Sequence, residues 1–174
     1  MGVLDTQTNT WLPIGNHGSR VVEDYTHDEI HDGCVYRAGT YVQLATAGTV
    51  GVAITTPATQ SIHYTFGIDT NGPGVAHFYD GITSSGGSTI TPSNANRTVS
   101  TASKAVLKKD PIVASLGSII GTAIMGSTGF KSIAGGNVLS RTWILAASTT
   151  YFIKFTADTG ICRTVVKTII EECD

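Results

Sequence analysis

Charged side chains are scarce in this chain of 174 residues. Asp, Glu, Lys and Arg make up 14% of it, well below the roughly 25% that is usual for soluble domains. Uncharged residues must therefore make up most of the hydrated surface, and the sequence contains 26 Thr, 14 Ser and 20 Gly. These residues suit exposed strands and turns. The scarcity of charge favours a protein that assembles with other protein.

Basic clusters and long apolar runs are also missing. The net charge is −2, and no cluster of Lys or Arg is larger than Lys108–Lys109, so the electrostatic footprint of a nucleic-acid-binding protein is absent. No segment reaches the roughly 18 apolar residues of a membrane span, and the N-terminus does not resemble a signal peptide. We therefore expect no nucleic acid and no membrane as partner, and synthesis in a cytoplasm.

Cysteine is limited to Cys34, Cys162 and Cys173. An odd number at wide spacing fits neither a disulfide framework nor a CxxC metal site. The sequence therefore predicts free, mostly buried thiols.

Motifs for catalysis or metal binding are absent or incomplete. There is no GxSxG motif and no phosphate-binding loop, and the five histidines are scattered. The segment 25–32 gathers five side chains that can bind metals: His27, Asp28, Glu29, His31 and Asp32. A zinc-protease helix would need Glu directly after the first His, where Asp28 stands, so a polar strand on the outside of the sheet is the favoured interpretation. We expect no enzyme, no metal and no cofactor.

Alternating apolar residues predict an all-β protein. Ile62, Tyr64, Phe66 and Ile68 share one face of a half-buried strand, and residues 71–74 form a turn into a returning strand at 75–79. A second hairpin is predicted from strands at 150–157 and 162–171. Shorter strands are expected at 40–44, 51–55, 99–107 and 141–145, and a strand flanked by loops within 112–125. This spacing of short strands predicts a β-sandwich.

The chain divides into an arm and one domain. Residues 1–19 lack a regular pattern and predict an extended N-terminal arm, whose apolar anchors are Trp11, Leu12 and Ile14. These anchors can dock on the domain itself or on a neighbouring subunit. Residues 20–174 are expected to form a single sandwich. Its predicted core consists of large side chains on the apolar strand faces: Tyr64, Phe66, Phe78, Trp143, Tyr151, Ile153 and Phe155.

The longest polar loop lies within residues 78–97, FYDGITSSGGSTITPSNANR. It contains one acid, one base and no His or Cys, so it offers no pair for acid/base or nucleophilic catalysis. Its Asn residues are expected to hydrogen-bond to the loop's own backbone.

Four segments in order carry a family resemblance: EDYTHDEIHDG at 23–33, ITTPATQSIHYTF at 54–66, the 78–97 loop, and AGGNVLSRTWILAASTTYFIKFTADTG at 134–160. Together they resemble a family of small virion proteins of tailed bacteriophages, the capsid decoration or cement proteins. The resemblance covers about residues 20–160.

The resemblance implies a jelly-roll-like β-sandwich bound to the outside of the phage head. The partner would be the major capsid protein, with self-association on the lattice as a dimer or trimer, and the location would be the capsid surface of the virion. The candidate contact residues are Trp11, Leu12, Ile14, Asn94, Asn96 and Arg97. No cofactor is implied.

A binding module is the alternative function class. Loops rich in Thr, Ser and Asn and exposed aromatic residues also serve sugar recognition, so a head- or tail-fibre tip that binds a host glycan remains open. Trp11, Trp143 and Tyr151 would then be the stacking residues, although Trp143 and Tyr151 lie in apolar strands typical of a core.

Overall fold

The computed structural model describes residues 2–5, 10–13, 29–125 and 142–173. The described residues form fifteen β-strands and a short helical stretch at 29–31. None of the helical structure in these ranges is long and apolar enough to cross a membrane. In chain order the strands are β1 (Gly2–Asp5), β2 (Thr10–Pro13), β3 (Val35–Leu44), β4 (Thr49–Thr55), β5 (Ile62–Thr70), β6 (Gly74–Asp80), β7 (Thr83–Ser85), β8 (Ser88–Ile90), β9 (Ser93–Asn94), β10 (Val106–Lys109), β11 (Ile112–Ser115), β12 (Ser118–Met125), β13 (Trp143–Leu145), β14 (Thr150–Ala157) and β15 (Cys162–Glu171).

Two antiparallel sheets make up the body of the protein. The six-stranded sheet has the order β12-β6-β14-β4-β10-β8, and the five-stranded sheet has the order β13-β5-β15-β3-β9. Two smaller pairs, β1-β2 and β7-β11, form separate two-stranded sheets. The all-β sandwich predicted from the sequence is confirmed.

The interior of the sandwich is formed by alternate side chains of both sheets. Along β5 the burial alternates strictly, with Ile62, Tyr64, Phe66 and Ile68 inside. The predicted core is confirmed for six of its seven members, while Trp143 is partly buried and packs against the same cluster. Alternation of this kind places one apolar face of each sheet against the other.

Both predicted hairpins are wrong. β5 belongs to the five-stranded sheet and β6 to the six-stranded sheet, so the turn at 71–73 connects the two sheets. The rings of Phe66 and Phe78 then face each other with their centroids 4.9 Å apart. β14 and β15 are likewise in opposite sheets. The sequence pattern identifies the buried face of a strand but not the strand beside it, which explains both errors.

The predicted strand at 99–107 is largely absent, because regular structure begins only at Val106. The preceding backbone is instead held by the buried carboxylate of Glu172, which accepts hydrogen bonds from the amides of Lys104 and Ala105, both at 2.8 Å. The Ser103 hydroxyl donates to the same carboxylate at 2.6 Å. Hydrogen bonds to this carboxylate thus replace the backbone hydrogen bonds that a strand would have made to its neighbour.

The apolar segment at 112–125 is confirmed as extended structure, although it forms two strands, β11 and β12. Gly117 separates them with a φ of 61°. A Cβ at this position would collide with the carbonyl oxygen of Asp80. The turn therefore requires glycine for both its backbone angle and its close approach.

The prediction of three free thiols is wrong. Cys34 and Cys173 form a disulfide, with Cα atoms 5.2 Å apart and a sequence separation of 139. Cys162 is a free, buried thiol, as expected. The pairing could not be read from spacing, because the two residues meet only when β3 and β15 are adjacent and Val35 lies opposite Glu171.

The first thirteen residues contain a pairing that the sequence did not predict. β1 and β2 are antiparallel, with Val3 opposite Leu12. Among the described residues, β1 and β2 form a sheet of their own, separate from both main sheets. The extended arm at 1–19 stays a prediction, since several of its residues lie outside the described ranges.

Truncation of Phe155 tests the packing of the interior. Phe155 is fully buried in the main cluster, so Phe155→Ala should lower the free energy of unfolding by roughly 3–5 kcal/mol through lost burial and an unfilled cavity. Urea denaturation followed by circular dichroism measures this. Ile161→Ala is the control, because Ile161 is 66% exposed, and equal stability losses in the two variants would contradict the assigned interior.

Reduction of the disulfide tests the corrected cysteine pairing. Closing a chain loop of this length restricts the unfolded state, so a reductant should lower the free energy of unfolding by about 2–5 kcal/mol. The double variant Cys34→Ser/Cys173→Ser should have the same lowered stability with or without reductant. Alkylation of three thiols in the unreduced, unfolded protein would show that the bond does not form.

Candidate functional site

The loop predicted to contact the capsid is held together by its asparagines. The Asn94 side chain donates from Nδ2 to the carbonyl oxygen of Gly33 at 2.6 Å and accepts from the amide of Asn96 at 2.9 Å. Asn96 in turn accepts from the amide of Thr98 at 3.0 Å. These are Asx-type turns, and the expectation that the loop satisfies its own backbone is confirmed.

The loop candidates therefore differ in what they offer a partner. Asn94 is buried, so its side chain is committed to the interior of the loop. Asn96 is half-buried and also donates to the carbonyl oxygen of His31 at 3.1 Å. Arg97 is exposed and lines a shallow groove of about 380 Å³ together with Thr98 and Ser100. Of the three loop candidates, Arg97 is therefore the one best placed to touch another molecule.

The remaining predicted contact residues lie in the arm. Trp11 and Leu12 lie in β2, where their backbones pair with those of Leu4 and Val3 in β1. Ile14 lies outside the described residues, as do His27 and Asp28 of the predicted histidine and acid cluster. The structure thus brings together the three loop candidates and does not test the arm.

The predicted polar strand at 25–32 is wrong where it can be checked. Residues 29–31 are helical and a turn follows at Asp32 and Gly33. Glu29, expected on the surface, is only 5% exposed. Within the described ranges, no group of three or more His, Cys, Asp or Glu residues is arranged to hold a metal ion.

The outer face of the five-stranded sheet is polar and charged. Lys167 and Asp69 form an ion pair across neighbouring strands. His63 Nδ1 lies 3.4 Å from Glu171 Oε2. Two large hydrophobic side chains are also exposed on this sheet: Tyr41, on β3, at 57%, and Ile144, on the edge strand β13, at 70%. A face of this kind suits contact with water.

The outer face of the six-stranded sheet is partly covered by the β7-β11 pair. Val113 of β11 packs against a second apolar cluster on this face, formed by Ala53, Tyr79, Ile82 and Phe152. A groove of about 490 Å³ remains beside this cover, with Phe152, Val113 and Leu116 among its walls. A Cβ at Gly51 would collide with the Phe152 ring, so glycine lets the ring lie flat over β4.

Five large aliphatic side chains are exposed around this groove and on the adjoining edge strand. We call them the apolar patch: Ile112, Leu116, Ile119, Ile120 and Ile124. Ile112 is 72% and Ile124 is 80% exposed.

Two members of the apolar patch, Ile119 and Leu116, are connected through the apolar cluster on the outer face of the sheet. Ile119 lies opposite Tyr79 in register, and the Tyr79 ring contacts that of Phe152, at a centroid distance of 6.1 Å. Phe152 and Leu116 line the same groove. No charged residue occurs between Ile112 and Met125. Exposed apolar groups that cluster in this way mark a surface for contact with another molecule.

Sequence reasoning noticed the apolar character of 112–125 but did not name it as a contact surface. The available signal was that this segment contains several isoleucines and no charged residue. Strand periodicity alone could not show that the patch faces outward, because an apolar strand is usually assigned to a core.

A small cavity of about 90 Å³ lies beside the disulfide. Its walls are Glu29, Ser61, His63, Glu171 and Cys173. Glu29 Oε2 is buried and has no hydrogen-bond donor among the described residues. Burial and the neighbouring Glu29 charge raise the pKa of the Glu171 carboxyl, and His63 partly offsets this. No local sequence pattern predicts this cluster, because its members come from three separate parts of the chain.

The chain was also compared with known proteins. Neither the models of known protein families nor the curated proteins contain a match to it.

Proposed function

We propose that this chain is a non-enzymatic structural protein of a tailed-phage virion. It acts as a capsid decoration or cement protein, which binds the outside of the head lattice and stabilises contacts between major capsid subunits. The observation that carries the proposal is the contrast between the two outer faces. One bears the apolar patch beside a groove whose walls also include Asp110 and Lys154, whereas the other carries the Lys167–Asp69 ion pair and the His63–Glu171 contact.

The contrast suits a protein that lies flat on another protein surface. The apolar patch gains free energy when the capsid removes it from water, at about 25 cal/mol per Å² of apolar area before ordering costs are subtracted. The charged face stays in contact with solvent. Because the protein binds the assembled shell, each bound copy lowers the free energy of the shell relative to dissociated subunits.

The strand order supports a jelly roll as the finer description of the sandwich. The strands β3, β4, β5, β6, β12, β13, β14 and β15 give the orders β13-β5-β15-β3 and β12-β6-β14-β4 in the two sheets. Eight strands in two sheets connected in this manner make up the double Greek key of jelly rolls, a fold used by viral capsid and lectin domains.

The disulfide agrees with a location on the virion. Disulfides persist in oxidising surroundings and are rare in the cytosol. A protein made in the host cytoplasm would form the Cys34–Cys173 bond once the particle has left the cell. The bond would then hold the C-terminal strand in place on the exposed particle.

The arm and the loop supply further candidate contacts. Trp11, Leu12 and Ile14 would add apolar contact, and Arg97 would add a charge at the rim of its groove. Self-association of neighbouring copies as a dimer or trimer would add further contact area on the lattice.

The glycan-binding alternative is less well supported. Tyr151 is buried, and its hydroxyl oxygen accepts a hydrogen bond from the amide of Ala146 at 3.0 Å. Trp143 is partly buried, and its ring packs edge-on against Phe78 at 5.2 Å. Neither ring offers the open face that sugar stacking needs. A decoration protein occurs in many copies on the head, whereas a fibre tip occurs in few.

Substitution of the apolar patch tests the proposed function. The double variant Ile112→Lys/Leu116→Lys puts charges where the capsid would bury apolar groups, so its affinity for heads that lack the protein should fall at least about ten-fold, equal to about 1.4 kcal/mol. Its melting temperature should be unchanged, because both side chains are exposed. Cosedimentation of labelled protein with heads measures the affinity.

Two further variants complete the experiment. Tyr41→Lys is the matched control on the charged face and should bind as the wild type does. Deletion of residues 1–15 should weaken binding while preserving the circular-dichroism spectrum. Full binding by the patch variant together with lost binding by Tyr41→Lys would place the docking surface on the opposite sheet and contradict the proposal.

A further inference from the structure

The four edges of the two main sheets differ in length. Three of them are strands of two or three residues, namely β8, β9 and β13, whereas the fourth, β12, has eight residues. An edge strand presents a row of backbone N–H and C=O groups on its open side, and a short edge limits the number of such groups. Among the described residues, β12 is therefore the one long edge of the sandwich.

The open side of β12 has no partner in the part of the chain that the structure describes. Its neighbour in the sheet is β6, and the backbone hydrogen bonds found outside the sheets do not involve residues 118–125. In an antiparallel pair, alternate residues turn their N–H and C=O groups toward the neighbouring strand. The groups of the intervening residues point away from β6, where water or a further strand can satisfy them.

β12 also lacks the side chains that usually protect an edge. Lys, inward-pointing charges and Pro keep natural edge strands from pairing with other chains, and the sequence SIIGTAIM contains none of these. The register shifts between Ile119 and Gly121, and a regular run follows at 121–125, opposite residues 74–78 of β6. A run of this length is ordinary for a strand, so it can take a second neighbour.

The absence of charge indicates which partner fits this edge. When a strand pairs with its own copy about a two-fold axis, its side chains meet those of the same short segment, so any charge would face a like charge. An uncharged strand avoids this repulsion. The exposed side chains of the regular run are Thr122 and Ile124. A Thr–Thr pair across strands is favourable, whereas a charged partner strand would find no opposite charge on β12.

We propose that two copies of this chain pair through β12, antiparallel and about a two-fold axis perpendicular to the sheet, so that their six-stranded sheets become one continuous sheet. The pairing rests on the proposed function for its setting, since it describes how neighbouring copies associate on the head. The middle of the whole strand and the middle of its regular run both lie next to Thr122. Thr122 of each copy therefore lies at or beside the axis.

The symmetry determines where the two apolar patches come to lie. A two-fold axis perpendicular to the sheet leaves the outer faces of both copies on the same side. Ala123 and Met125 belong to the interior, so Ile124 lies on the outer face, and Ile119 lies opposite the outward Tyr79. Pairing thus joins the two apolar patches into one surface, which would face the capsid.

The pairing is weak in solution because the contact is small. The eight residues of β12 span about 27 Å at about 3.4 Å per residue, and a sheet layer is about 10 Å thick, so each copy contributes an area of about 270 Å². Stable complexes bury about 800 Å² on each partner. The dimer should therefore form reversibly with rising concentration, and copies held close together on the head should pair more readily.

Sedimentation velocity of the full-length, oxidised protein without phage heads tests the pairing. The wild type should form dimers as its concentration rises to about 1 mM. Thr122→Lys and Thr122→Glu each place like charges beside the axis and should raise the dissociation constant at least about ten-fold, whereas an equimolar mixture of the two should restore dimers. Ser88→Glu is the matched control, because Ser88 is exposed on β8, the opposite edge of the same sheet, and it should dimerise as the wild type does.

Amide hydrogen exchange gives a second readout that needs no variant. On dimerisation of the wild type, alternate amides within 121–125 should gain at least about ten-fold in protection. A wild type that stays monomeric, or a dimer that neither Thr122 variant weakens, overturns the proposal. Protection of the same amides in the monomer also overturns it, because another part of the chain would then cover the edge. A dimer that fails to bind heads would contradict the docking function and leave the pairing intact.

Discussion

Phe78 is the centre of the packing on which both sheets depend. Its ring contacts Phe66 at 4.9 Å, Trp143 at 5.2 Å and Tyr151 at 5.9 Å between centroids. Phe66 and Trp143 come from the five-stranded sheet, while Tyr151 comes from the same sheet as Phe78. Aromatic pairs in tilted and edge-on arrangements add to the free energy of burial. This stack fixes how the two sheets face each other, and hence which faces are left outside.

The outward faces follow from this arrangement, because strand side chains alternate. On β14, inward Ile153 and Phe155 alternate with Phe152 and Lys154, of which Phe152 packs on the outer side and lines the groove. On β15, inward Val166 and Ile170 alternate with Lys167 and Glu171. The same alternation that builds one core thus places Phe152 beside Lys154 on the outer surface of one sheet, and Lys167 and Glu171 on the outer surface of the other. In the proposed decoration role, the face with the groove binds the capsid and the face with Lys167 and Glu171 stays in solvent.

Much of the fold could be predicted from local patterns, and the errors share one cause. The alternation at Ile62 to Ile68 correctly identified a strand and its buried face. It could not show that β5 and β6 lie in opposite sheets, because period-two patterns are the same for a hairpin and for a crossing between sheets. The Cys34–Cys173 bond was missed for a similar reason, since only the pairing of β3 with β15 brings the two residues together.

The candidate site was less accessible to sequence reasoning than the fold. Asn94 and Asn96 were correctly expected to bond to the loop backbone, yet this use removes Asn94 from the surface. The apolar patch was visible as an uncharged segment, but its exposure depends on β12 being an edge strand of the six-stranded sheet. Glu29 and Glu171 lie 142 positions apart and line a single cavity, and no local pattern carries such information.

A cryo-EM reconstruction of the phage particle is the most direct test of the proposed role. The account predicts many copies of the protein on the outside of the head, with the groove and the apolar patch against the major capsid protein and the Lys167–Asp69 face toward solvent. A reconstruction that finds the protein in a few copies on a fibre, or with its charged face against the shell, would contradict it.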